Sequence, residues 1–291
     1  MTGAAEELNM LKRIVLSSCV AAAAGLALPA LAADLDQVIY APDIPVAKPV
    51  EIGTGWYLRG DLGYSFKTRG AARNYSVFTP GPPQSYSTSA FATSELDSDY
   101  TASIGFGYQF TDFLRADLTF DYSNGSFDGT TAAAVPCPGM PVGTTCASTD
   151  TADFKSYGFL ANGYVDLGTY AGVTPYLGAG AGITRVAWDP LSNTARCVAG
   201  GAACPAVGTL APVSHGGETS WRFTYALMAG FSYDVTKNLK LDLGYRYSKI
   251  AGGDMFRFDA ATAVAGAAGV QARDRGFERH EVRAGLRYAL W

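Results

Sequence analysis

Eight times along this chain, apolar and polar residues alternate at a period of two for roughly ten residues, about what a tilted strand needs to cross a bilayer. A helix, with its period of 3.6, cannot collect such a pattern on one side, so each stretch is expected to be a strand with one apolar and one polar face. The stretches are 56–66, 100–110, 114–122, 156–167, 173–184, 221–233, 239–248 and 281–290. In the first, Trp56, Leu58, Leu62, Tyr64 and Phe66 share one face and Tyr57, Arg59, Asp61 and Ser65 the other. In the last, Val282, Ala284, Leu286, Tyr288 and Leu290 oppose Glu281, Arg283 and Arg287.

The connections are asymmetric. Thr111-Asp112, the residues from Gly168 to Ala171, and those from Val235 to Asn238 are short links, whereas 69–96, 126–150, 189–217 and 251–276 are long. A soluble sandwich has no reason to collect every long connection at one end, but a membrane barrel has short periplasmic turns and long extracellular loops. The expected fold is therefore all-β: an eight-stranded antiparallel up-and-down transmembrane β-barrel over 55–291 with four long extracellular loops. The aromatics fit two membrane interfaces: Trp56, Phe110, Phe113 and Tyr233 fall near the turns, and Phe66, Tyr100, Tyr122, Trp188, Trp221 and Tyr247 near the loops.

Residues 1–32 read as a cleaved secretory signal: Lys12 and Arg13 precede an apolar run, and Ala30-Leu31-Ala32 supplies a cleavage site. Residues 33–54, with Pro42, Pro45 and Pro49, read as an extended periplasmic leader. No long uninterrupted apolar run follows, which excludes a spanning helix. The net charge of −4 disfavours nucleic acid as a partner. The expected location is the outer membrane, with its lipid and lipopolysaccharide as surroundings, and the expected state a monomer.

If the apolar faces meet lipid, the polar faces line a lumen. They carry Arg59, Arg115, Arg222, Arg246, Arg283 and Arg287 with Asp61, Asp117, Asp121, Asp166, Asp242 and Glu281, and also Lys240. Eight strands leave an interior just wide enough for side chains to fill, so these charges are expected to pair as a plug. A narrow porin-like ion path is the alternative. An outer-membrane lipid hydrolase is a second one, built on His215 or His280 with Ser214 or Ser248. The run Gly178-Ala-Gly-Ala-Gly182 lacks the Lys and helix of a phosphate loop and reads as room for bulky lumen neighbours.

Four cysteines follow the signal, and three connectivities are open to them. Short separation favours Cys137 with Cys146 and Cys197 with Cys204, each inside one loop. Their spacing lacks the form of a zinc site, and neither a metal nor a cofactor is expected.

Two segments carry a family resemblance. The stretch from Pro49 through Trp56 to Ser65 resembles the first strand of the small outer-membrane immunogenic proteins and surface antigens of rhizobial-type alphaproteobacteria, and Glu281 to Tyr288 resembles their closing strand. The resemblance implies a barrel like the outer-membrane protein A transmembrane domain, recognised by the barrel-assembly machinery through its last strand. Tyr288, Leu290 and Trp291 would form that signal, although the family ends Tyr-x-Phe and the aromatic here stands one residue further on. The expected role is non-enzymatic, structural and surface-exposed.

Overall fold

The structure, a computed structural model, describes residues 55–69, 71–97, 100–132, 144–199 and 210–290. The signal and leader, Cys137, Cys204 and Trp291 lie outside them. Among the described residues fifteen strands and one short helix follow in order: β1 (Gly55–Arg69), β2 (Asn74–Thr79), β3 (Ser85–Ala90), β4 (Thr93–Asp97), β5 (Tyr100–Thr111), β6 (Leu114–Ala132), β7 (Thr145–Asp166), β8 (Val173–Trp188), β9 (Leu191–Ala199), β10 (Val213–His215), β11 (Thr219–Asp234), β12 (Leu239–Ile250), β13 (Asp254–Arg257), α1 (Ala260–Val264), β14 (Val270–Arg273) and β15 (Phe277–Ala289).

The long alternating segments pair antiparallel with their neighbours in sequence. β1 pairs with β5, β5 with β6, β6 with β7 and β7 with β8. β8 then pairs with β11, β11 with β12 and β12 with β15. β15 also pairs with β1, bringing Leu286 opposite Gly60 and Val282 opposite Tyr64. Beyond Ala289, the Leu290 amide donates to the Trp56 carbonyl at 3.0 Å.

Short turns hold the register at one end. Thr111 Oγ1 accepts from the Leu114 amide at 3.0 Å, and Thr236 Oγ1 accepts from the Leu239 amide at 3.0 Å. Between β7 and β8, Tyr170 and Val173 exchange two backbone hydrogen bonds of 2.8 and 2.9 Å around Ala171 and Gly172. Both central residues have positive φ, 49° and 81°. This is the hairpin geometry whose twist suits the flanking strands, and it favours Gly or Asn over a residue with a plain Cβ.

At the other end the long connections, expected as loops, are largely folded. β6 and β7 continue as a hairpin to Ala132 and from Thr145, β4 joins β6, and β9 with β10 adds to β7. A second sheet orders as β13-β14-β2-β3. The Ser/Thr-rich alternation of Asn74–Thr79 and Ser85–Ala90 suits a half-exposed hairpin, so these stretches pair rather than stay irregular.

Polarity inverts partway along the strands. On β6 the outward residues Leu114, Ala116, Leu118, Phe120 and Tyr122 give way to Asn124, Ser126, Asp128 and Thr130. On β7 Val165, Ala161, Phe159 and Tyr157 give way to Lys155, Asp153, Thr151 and Thr149. Tyr122 and Tyr157, opposite one another with ring centroids 5.4 Å apart, mark the boundary. From Leu114 to Tyr122 the apolar stretch runs roughly 27 Å along the strand, which tilt reduces to the thickness of a hydrocarbon core.

Trp188, expected in the loop-side aromatic belt, is instead buried at 4% exposure. Its even number gives it the inward parity of Tyr176 and Thr184 on the same strand. Cys146 and Cys197 are opposite each other across β7 and β9, both buried. Their expected partners lie outside the described residues.

Candidate functional site

The inward faces of the long strands build a filled polar core. Arg59 is its most connected cation: its guanidinium donates to Asp61 at 2.9 and 2.7 Å, to Asp117 Oδ2 at 2.8 Å and to the Tyr164 hydroxyl at 2.7 Å. Asp117 accepts further from Tyr57 at 3.1 Å and from Asn162 Nδ2 at 2.8 Å. Arg115, 1% exposed, donates to Asp166 at 3.1 Å and lies over the rings of Tyr164 and Tyr176 at 4.1 and 4.9 Å. Those rings take up guanidinium faces that no carboxylate reaches.

The network continues through further pairs, from Arg287 beside the short turns to Arg279 and Arg222 nearer the long connections. Arg287 donates to Ser232 at 2.7 Å and Asp242 at 3.2 Å, and Arg246 to Asp121 at 2.7 Å. Arg283 stands 4.0 Å from Asp61 and 3.8 Å from Asp121 and donates to Ser103. Thr101 donates to Glu281 at 2.8 Å, while Arg279 stands 3.9 Å from that carboxylate and donates to Ser123. Arg222 donates to Asp274 at 2.7 Å. Lys240 differs from the expected lumen cation, being half-buried and paired with Asp234 near a turn.

Of the thirteen charged residues expected on the polar faces, the six arginines and six acids point inward, whereas Lys240 does not join them. Alternation from Glu281 onward does not reach Arg279, because β15 begins at Phe277, nor Asp274, which lies in the connection between β14 and β15. With them, seven acids (Asp61, Asp117, Asp121, Asp166, Asp242, Asp274 and Glu281) face seven arginines (59, 115, 222, 246, 279, 283 and 287). A matched set is what a dry interior requires, since an unpaired buried ion costs several kcal/mol. Close packing goes with it: a Cβ on Gly107 would stand 2.3 Å from Tyr57 Cζ, and one on Gly178 would stand 2.5 Å from Tyr164 Cδ1. A cavity between Arg246, Arg279 and Glu281 measures only about 20 Å³, room for about one water.

An aromatic lid covers the loop side of this network. Phe127, Phe154, Phe256, Phe277 and Met255 are each 0% exposed. Phe154 stacks on Phe277 at 5.0 Å and meets Trp188 at 4.8 Å, and Trp188 reaches Phe256 at 5.3 Å. Arg222 joins the two layers, its guanidinium 5.5 Å from the Phe277 ring centroid.

The outward face is apolar: Leu62 is 70% exposed, Ile104 66%, and Phe223 59%. Tyr288 and Leu290 of the expected assembly signal lie on it, both about half exposed. The hydrolase residues do not converge. His280 Nδ1 meets the Tyr245 hydroxyl at 2.6 Å among outward rings, whereas Ser248 is buried on the inward face. His215 is buried while Ser214, next to it on β10, is exposed. Among the described residues no group of three His, Cys, Asp or Glu side chains is placed to hold a metal ion.

The family described as "Outer membrane protein beta-barrel domain" matches residues 18–288. An uncharacterized protein of Brucella suis is 40% identical over 252 residues, covering 80% of this chain and 84% of its own length. One of Brucella melitensis is 38% identical over 255 residues, with the same shares covered. Among solved structures, Neisserial surface protein A aligns at 18% identity and a TM-score of 0.39, over 80% of this chain and 96% of that one. The outer membrane protein OprG from Pseudomonas aeruginosa aligns at 12% identity and a TM-score of 0.42, over 82% and 96%.

Proposed function

The chain belongs to the outer membrane protein β-barrel family, and from that premise we propose that it is an eight-stranded transmembrane barrel with a structural, surface-exposed role, holding a folded head outside the membrane on a non-conducting stem. The observation that carries this reading is the matched set of buried acids and arginines under an aromatic lid. An ion path needs a continuous wet route, and here the fixed charges are consumed by one another. Closure of the wall is supported by the pairing of β15 with β1 at one seam and of β6 with β7 at the other. Its outward apolar band, bounded by Tyr122 and Tyr157, supports insertion in lipid.

On this reading residues 1–32 are removed on export, and the barrel-assembly machinery reads the last strand through Tyr288, Leu290 and Trp291. The first and last strands resemble those of the small surface antigens of rhizobial-type alphaproteobacteria, which supports reading the chain as one of that group. Outer-membrane lipid and lipopolysaccharide surround a single barrel, and surface contact falls to the head. Hydrolysis is not part of the proposal, because His280 and Ser248 lie on opposite faces of the wall.

Single-channel recording on the refolded protein in planar bilayers tests the reading. The expected record has no discrete steps. Steps whose selectivity changes when Arg115 or Asp117 is reversed in charge would establish a porin-like channel instead.

A further inference from the structure

We infer that the head carries a binding site for a small amphiphile with an aromatic or aliphatic body and one neutral or cationic hydrogen-bonding group. A cavity of about 480 Å³ opens between the second sheet and the extension formed by β7, β9 and β10. That is the size class of small-molecule pockets, which are apolar with a few placed polar groups. Its walls include the rings of Tyr75, Phe78, Phe91, Phe256 and Phe258. At one end strand pairing gathers the polar groups: β7 sets Asp150 opposite Asn193 of β9, and β9 sets Leu191 opposite His215 of β10.

His215 is 8% exposed, lines this cavity, and its Nδ1 has no hydrogen-bond partner. A buried ring nitrogen left open inside a protein calls for a partner, and the space beside it is the cavity. The nearby carboxylates are already committed. Asp150 accepts from Ser148 at 2.9 Å and from Asn193. Asp259 caps α1, accepting from the Ala261 and Thr262 amides at 3.0 Å each and from the Thr262 hydroxyl. Burial opposes ionisation of Asp259, but its hydrogen bonds from Thr262 and Ala261 outweigh burial and hold it below the usual carboxylate range. The polar end therefore offers a buried open contact at His215 beside the Asp259 carboxylate, whose negative charge repels anions. A ligand must bring a hydroxyl, amide or ammonium there and an apolar body to the rings.

The test uses the full chain in lipid nanodiscs, with empty nanodiscs as the partition background. Three fluorescent probes that share a body and differ in charge are titrated by anisotropy: 1-naphthylmethylamine, 1-naphthalenemethanol and 1-naphthoate. The amine and the alcohol should bind saturably above background, and the carboxylate at least about tenfold more weakly, the scale of one mismatched polar contact. Ala261→Trp, at an exposed helix position lining the cavity, should abolish binding. His215→Leu should weaken the alcohol about tenfold, the loss of one hydrogen bond to a buried partner. Both variants are first shown to keep a folded head by wild-type resistance to protease added to intact vesicles, beside an unchanged heat-dependent shift on SDS gels. No saturable binding, equal binding of the carboxylate, binding that survives A261W, or an alcohol affinity unchanged in H215L would each overturn the inference.

Discussion

Arg59 shows how far a single residue's environment can be read from its neighbours. Its place on the polar face follows from alternation with Trp56 and Leu58, and its partner Asp61 stands two residues on, so both project into the same lumen. Its contact with Asp117, 58 residues away, follows only from pairing β1 with β5 and β5 with β6. Pairs of this kind make a sharp prediction, because removing one partner leaves an uncompensated charge, whereas removing both does not. Arg246→Met or Asp121→Leu alone should each cost about 3–5 kcal/mol, and the double variant should recover much of that loss. Urea unfolding in lipid vesicles gives the four values of this cycle. Additive losses would mean that the two groups do not depend on each other, and the matched interior would lose its support.

Among the elements, the β7–β8 turn and the strand extensions were legible to different degrees. The turn's position was plain from Gly168 and the restart of alternation at Val173, yet the sequence shows no reason for Ala171 to take a positive φ. Tertiary closure sets that conformation, and an alanine bears the cost. Ala171→Gly should therefore stabilise the barrel by about 1 kcal/mol, read as a raised urea midpoint. An unchanged or lowered midpoint would mean that the turn carries no strain there. The extensions of β6, β7 and β8 were hidden for another reason: alternation continues past Tyr122 and Tyr157, but apolar residues change sides. On the proposed reading lipid lies outside below that line and water above it, so the burial rule reverses while the period stays at two. Phe127, Phe154 and Trp188 keep the inward parity of Arg115, Ser156 and Tyr176 on their own strands. A search for apolar residues on one fixed face stops where the phase flips. For the same reason the cavity beside His215 could not be read, since β9 and β10 are short, polar strands that acquire a register only against β7.

For the whole molecule, the reversal implies two layers with different interiors, a membrane stem packed by ion pairs and a head packed by rings. The stem's wall is a set of long antiparallel ladders whose hydrogen bonds leave no free edge for detergent to enter if β1 and β15 close it. The head depends on the aromatic cluster that Phe154 centres between Phe277 and Trp188. Removing that ring should leave a cavity costing about 3–5 kcal/mol. Because the ladder below Tyr157 is independent of it, the loss should fall on the head. The wild-type protein in the outer-membrane fraction should migrate differently on SDS gels before and after boiling. Phe154→Ala should keep that heat-dependent shift while its head becomes more sensitive to protease added to intact vesicles. A variant that lost the shift would show that the lid helps to hold the barrel together, and the two layers would be one cooperative unit. A variant that kept both the shift and protease resistance would mean that the rings are not what folds the head.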